Sequence, residues 1–123
     1  MDYQQFVETI KSRIPVGLML VNPGGGTSKI ISYSEENIIY QRGNSKISIS
    51  FDDLYKAYSK FKGQKVYTTN LRDYAPKVFD STRGGHSCNA TFLFSILELI
   101  GIINEIKGEG KAHHPFYASI ISD

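Results

Sequence analysis

The sequence predicts an α+β fold, in which an N-terminal helix and a small antiparallel β-meander are joined to a more helical C-terminal half. Apolar side chains recur at helical spacing over residues 2–14, and Pro15 ends that stretch. Three short extended runs, separated by turn residues, follow in the first half. Near the other end, an apolar run at helical spacing stops at Gly101. Helices and strands therefore occupy separate stretches, which is typical of an α+β fold.

The first half is expected to form a small antiparallel sheet. A short apolar strand is predicted over residues 16–21, and a glycine-rich loop separates it from the next strand. Three further strands are predicted over residues 28–34, 37–42 and 45–51. In the last of these, apolar residues alternate with serines, so one face is buried and the other meets water.

The second half is predicted to begin with a helix that ends at Phe61. Ser50 or Asp52 is suited to cap the start of this helix, because a short polar side chain can accept a bond from a free backbone N–H. A short extended piece over residues 65–68 comes next. It is followed by a short helix through Ala75, which the next residue, a proline, keeps short.

The last third of the chain is predicted to be a helix followed by a two-stranded ribbon. A flexible connection over residues 81–85 leads into a helix over residues 89–100. The ribbon is expected to pair residues 102–106 with residues 116–121 across a charged, glycine-containing turn.

The composition indicates a single domain over residues 1–123, with 1–51 and 52–123 as its two halves. The net charge is only +2, but residues 54–83 contain seven Lys and Arg residues against two Asp residues. Such a basic patch can attract phosphate, although a solvated helical face is an equally good explanation. The single cysteine and the lack of a signal-like start or a membrane-length apolar run predict a cytoplasmic protein without a membrane partner.

The elements predicted for residues 52–121 resemble a winged helix-turn-helix domain. The resemblance rests on their order, which is helix, strand, helix, helix and ribbon. It rests above all on residues 96–103, Ile-Leu-Glu-Leu-Ile-Gly-Ile-Ile, where a recognition helix would run into its wing. The resemblance implies a non-enzymatic DNA-binding protein that serves as an accessory or regulatory module. In such folds the third helix enters the major groove of double-stranded DNA, and its first turn meets the base edges.

The resemblance assigns DNA contacts to two groups of side chains. Base contacts are expected from the first turn of the third helix, since Asn can pair with adenine and Ser or Thr can take either role. These residues are Ser87, Asn89 and Thr91. For Ser87 and Asn89, the alternative to a base contact is capping of the helix N-terminus. Phosphate contacts are expected from five basic residues: Arg72, Lys77, Arg83, Lys107 and Lys111.

The sequence is also compatible with two other functions. An edge of the meander, with Tyr33 and Tyr40, would suit a protein partner or a second copy of the chain. A small cysteine hydrolase would use Cys88 as nucleophile, activated at a helix N-terminus, and His113 as base. The favoured DNA-binding interpretation involves no catalytic residue, no cofactor and no metal.

Overall fold

In the computed structural model, which describes residues 1–122, the chain begins with helix α1 (Tyr3–Arg13). A capping box closes the start of the helix: the Gln5 N–H donates to the Asp2 carboxylate at 2.8 Å, and the Asp2 N–H donates to the Gln5 side chain at 2.9 Å. Phe6 and Ile10 are buried on one face, as the helical spacing predicted. The predicted helix is therefore confirmed to within one residue at each end.

A four-stranded antiparallel sheet follows, with its strands side by side in chain order. The strands are β1 (Met19–Val21), β2 (Thr27–Tyr33), β3 (Asn37–Arg42) and β4 (Ser45–Ser50). The predicted meander is thus confirmed. The first strand is shorter than predicted because the chain turns at Gly17, which has a φ of 91° that favours glycine.

The C-terminal half combines helices with a second, two-stranded sheet. Ser50 caps the first helix by accepting a hydrogen bond from the Asp53 N–H at 3.0 Å. The described elements are α2 (Phe51–Phe61), β5 (Lys65–Tyr67), α3 (Thr68–Tyr74), α4 (Pro76–Phe79), a 3₁₀ turn (Ser81–Arg83), α5 (Cys88–Leu99) and β6 (Tyr117–Ser119).

The predicted ribbon between residues 102–106 and 116–121 is wrong in its pairing. Strand β6 pairs antiparallel with β5, which lies far earlier in the chain. Ile102 and Ile103 are buried in the core just beyond α5, so they pack inward instead of forming a strand. Residues 102–106 and 116–121 are joined by one backbone hydrogen bond, from the Ile121 N–H to the Ile102 carbonyl at 2.9 Å.

Helix α5 lies at the centre of the core, with eight of its twelve residues buried. Phe92 of this helix stacks on Tyr40 of β3, with ring centroids 3.8 Å apart and ring planes within 5°. The buried side chains of the meander and of the C-terminal half form one continuous cluster. The fold is α+β, as predicted. Within residues 1–122, no helix combines the length and the apolar character needed to cross a membrane.

Candidate nucleic-acid interface

The N-terminus of α5 is held in place by the turn that precedes it. The Asp80 carboxylate accepts bonds from the Thr82 hydroxyl at 2.7 Å, the Thr82 N–H at 2.9 Å and the Arg83 Nε at 2.7 Å. The Thr82 hydroxyl, followed by the Arg83 guanidinium, lowers the pKa of Asp80 to about 2. The Ser81 N–H also donates to the Ser87 Oγ at 3.0 Å. The connection predicted over residues 81–85 therefore contains a hydrogen-bonded 3₁₀ turn.

Asn89, which was predicted to contact bases, is only 3% exposed. Its carbonyl oxygen accepts a hydrogen bond from the Tyr40 hydroxyl at 2.6 Å, and its amide donates to the Val78 carbonyl at 2.9 Å. A base could reach this side chain only if both bonds were broken. The structure corrects the predicted role: Asn89 ties α5 to β3 and to α4, and it does not face solvent.

Helix α5 exposes little of its length to a DNA groove. Thr91 is partly exposed near the N-terminus, and Glu98 and Leu99 are exposed at the other end. Ser95, which lies between them, is buried. A negatively charged side chain at the far end would repel phosphate. The part of α5 that is available to a nucleic acid is therefore limited to its first turn.

Four of the predicted residues come together in a cleft of about 320 Å³ beside this first turn. Arg72 comes from α3, Ser87 and Thr91 come from the start of α5, and Lys111 comes from the loop that precedes β6. The loop is closed at its base by paired backbone bonds between residues 107 and 117, both 2.9 Å long. We term this surface, defined by Arg72, Ser87, Thr91 and Lys111, the helix cleft.

The helix cleft keeps its positive charge unneutralised. No Asp or Glu is among the described residues that line it. The side chains of Arg72 and Lys111 form no ion pair with any residue in the range 1–122. Two cations that line one cleft without a carboxylate create a local positive potential that attracts anions.

The other three predicted cations lie elsewhere. Arg83 is paired with two aspartates at 2.7 and 3.2 Å. The Lys107 Nζ lies 3.6 Å from a glutamate oxygen. Lys77 lines a different cleft, together with Asp53. Arg83 and Lys107 each have a carboxylate close by, so neither is as available to phosphate as Arg72 and Lys111, and Lys77 lies outside the helix cleft.

Arg42 is a further candidate that the sequence analysis missed. Its guanidinium donates to the Ser28 Oγ at 3.1 Å, the Asn22 Oδ1 at 3.0 Å and the Thr91 Oγ1 at 3.4 Å. These bonds join the end of β3 to the start of α5. In the sequence, Arg42 is the last residue before a Gly-Asn turn, and no local pattern points to a contact with a residue 49 positions further along.

The proposed hydrolase pair is not brought together. The Cys88 Sγ accepts a hydrogen bond from the Tyr40 hydroxyl at 3.4 Å. His113 is exposed, and its Nε2 lies 3.6 Å from a Glu109 oxygen. Cys88 and His113 share no hydrogen bond. In the described part of the chain, no three His, Cys, Asp or Glu residues are grouped closely enough to hold a metal ion.

The fold and the helix cleft define an α+β protein with a basic surface at the start of a buried helix. No protein-family model, curated protein or solved structure matches this chain significantly.

Proposed function

We propose that the protein is a non-enzymatic DNA-binding module that holds the phosphate backbone of double-stranded DNA in the helix cleft, in an accessory or regulatory role. The observation that carries this proposal is the pair of unpaired cations, Arg72 and Lys111, which line one cleft together with Ser87 and Thr91. Arg, Lys, Ser and Thr are the side chains that commonly contact phosphate oxygens. The free Cys88 fits the reducing cytoplasm, which we propose as its compartment.

The order of elements supports the same proposal. Helix α2, strand β5, helix α3, helix α5 and strand β6 come in the order of a winged helix-turn-helix domain, with the short α4 added and without the first strand of the wing. The segment between α5 and β6, where such a domain would have its wing, supplies Lys111 to the helix cleft. Because α5 lines the helix cleft only at its start, we expect phosphate contacts to dominate and the preference among DNA sequences to be small.

Fluorescence anisotropy with a labelled random-sequence duplex tests the proposal. Wild-type affinity should fall steeply between about 50 and 200 mM salt, because each phosphate contact releases counterions. The double variant Arg72→Gln/Lys111→Gln removes two contacts, so the slope of log affinity against log salt should decrease by about 1.8.

The matched control is Lys29→Gln/Lys60→Gln, which removes the same charge from two exposed side chains. Neither lysine is among the residues that line the helix cleft. This control should bind nearly as tightly as the wild type. The proposal is wrong if the wild type does not bind at low salt, or if the control loses as much affinity as the cleft variant.

A protein-interaction module is the second candidate, and one observation favours it. Val16, Met19 and Val21 are large apolar residues that stay exposed, with Val21 at 80%. Two of them lie on β1, an edge strand of the four-stranded sheet, and exposed edges with apolar side chains pair with partners. Of the two tyrosines predicted to form an edge contact, Tyr40 is fully buried, whereas Tyr33 is partly exposed and its hydroxyl donates to a backbone carbonyl at 2.6 Å. Both lie on inner strands of the sheet.

Sedimentation velocity at increasing protein concentration tests self-association at this edge. A dimer that Val21→Lys disrupts, and that moderate salt leaves intact, would favour the interaction module. A monomer at every concentration would exclude the homodimer.

A further inference from the structure

A second cleft, with a volume of about 530 Å³, also borders the start of α5. One wall is the β3–β4 hairpin, and the other is the segment that leads into the helix. We term it the hairpin cleft. Ser87 lines both clefts, so the start of α5 forms the wall between them. The residues that define the hairpin cleft are Arg42, Ser45, Lys46, Ser81, His86 and Ser87.

Arg42 is presented to this cleft as a fixed, unneutralised cation. Its three acceptors, on Asn22, Ser28 and Thr91, are neutral groups. No carboxylate in the described part of the chain forms an ion pair with it. A guanidinium has five N–H donors, and these bonds leave at least one of them unused. The contacts therefore fix the side chain in place and leave both charge and a donor for an anion.

Lys46 and His86 add donors from the two facing walls. Both side chains are exposed, and neither forms a hydrogen bond or ion pair with the described residues. No Asp or Glu is among the described residues that line the cleft. The backbone N–H groups at the start of α5 contribute a further positive partial charge. The lining thus combines cations and hydroxyls, which is a chemistry that favours phosphate.

We infer that the hairpin cleft binds a phosphate group. The inference rests on the proposed DNA-binding function in one respect, because it identifies this group as a phosphodiester of the duplex that also occupies the helix cleft. The duplex would then contact both sides of the α5 N-terminus. The N-terminal meander would be part of the DNA interface, with Arg42 and Lys46 as its phosphate contacts. A free phosphomonoester is the other source of the same chemistry.

The test is a Lys46→Gln variant in the same duplex titration. Lys46 lies on the exposed face of the hairpin and makes no bond that the fold needs. Losing one phosphate contact should lower the salt slope by about 0.9 and weaken binding to all duplex sequences alike. Lys29→Gln is the control, because it removes the same charge from β2 of the same sheet, at a site outside both clefts. This control should match the wild type.

A titration with inorganic phosphate, followed by NMR of the His86 ring, separates the two sources. A reduced salt slope in Lys46→Gln supports the phosphodiester. If the duplex does not bind but phosphate shifts the His86 signals in the wild type and not in Lys46→Gln, the DNA-binding function fails and the cleft holds free phosphate. If Lys46→Gln keeps the wild-type slope while the Arg72/Lys111 variant loses affinity, the inference is overturned and the DNA-binding function stands. Absence of both duplex binding and phosphate shifts overturns both.

Discussion

Replacing Tyr40 with Phe removes a single buried hydroxyl and leaves the stacked ring in place. Tyr40 is fully buried, and its hydroxyl donates to the Asn89 Oδ1 at 2.6 Å. Burial, followed by the contact with Cys88, raises the pKa of Tyr40 far above its ordinary value. The hydroxyl is therefore protonated at neutral pH and acts as a hydrogen-bond donor. Tyr40→Phe consequently isolates the contribution of this donor.

The expected cost follows from what the variant leaves behind. A hydrogen bond contributes about 1 kcal/mol net, and a buried acceptor without its donor costs about 1–3 kcal/mol. Asn89 is buried and would keep only its amide bond to the Val78 carbonyl. We therefore expect Tyr40→Phe to lower the free energy of unfolding by about 2 kcal/mol. This loss is substantial for a domain whose total stability is about 5–15 kcal/mol.

Urea unfolding followed by circular dichroism measures this difference. Tyr74→Phe is the matched control, because it makes the same chemical change on a side chain that is 40% exposed. The control should stay within about 0.5 kcal/mol of the wild type. If Tyr40→Phe also stays within that range, the bond between Tyr40 and Asn89 does not stabilise the fold, and the structural role given to Asn89 is refuted.

Two further predictions concern the segment that leads into α5. Asp80 has its pKa lowered from 3.8 to about 2, so its stabilising contribution is complete above pH 3.8 and is lost as the pH falls toward about 2. In Asp80→Asn, the free energy of unfolding should therefore fall less as the pH is lowered, as measured by urea unfolding at decreasing pH. The same pH dependence as in the wild type would contradict the stabilising role of the Asp80 carboxylate. A Cβ on Gly85 would lie 2.7 Å from the Pro76 carbonyl oxygen and from the Val78 carbonyl carbon. We expect Gly85→Ala to cost about 1–3 kcal/mol by overpacking, whereas Gly24→Ala, whose nearest neighbour would be 3.6 Å away, should change thermal stability little; equal melting temperatures would contradict the clash.

The elements that could be predicted from the sequence are those specified by nearby residues. Helix α1 was located by its apolar spacing and by Pro15, and the meander by alternation between turns. The pairing of β6 could not be predicted in this way. The apolar residues Ile102 and Ile103 fit an extended strand and a buried turn equally well, and only the completed core shows that they pack inward.

The residues of the candidate site likewise divide into those that the sequence indicated and those that it did not. The resemblance drew attention to Arg72 and Lys111, which the fold places in one cleft although they are far apart in the chain. It misjudged Asn89, because a polar residue in the first turn of a helix can face either water or the core. Arg42 was missed since its contact with Thr91 depends on how the meander packs on α5, and that packing has no local signature.

The pairing of β5 with β6 has a consequence for folding during synthesis. Strands β2, β3 and β4 pair with their immediate neighbours in the chain, so they can form as soon as they leave the ribosome. Lys65–Tyr67 must wait for Tyr117–Ser119, and closing so long a loop costs more entropy. We therefore expect nascent chains that stop before Tyr117 to leave β5 unpaired and the Lys111 loop without its base. The basic surface would then be completed only after Tyr117–Ser119 has been synthesised.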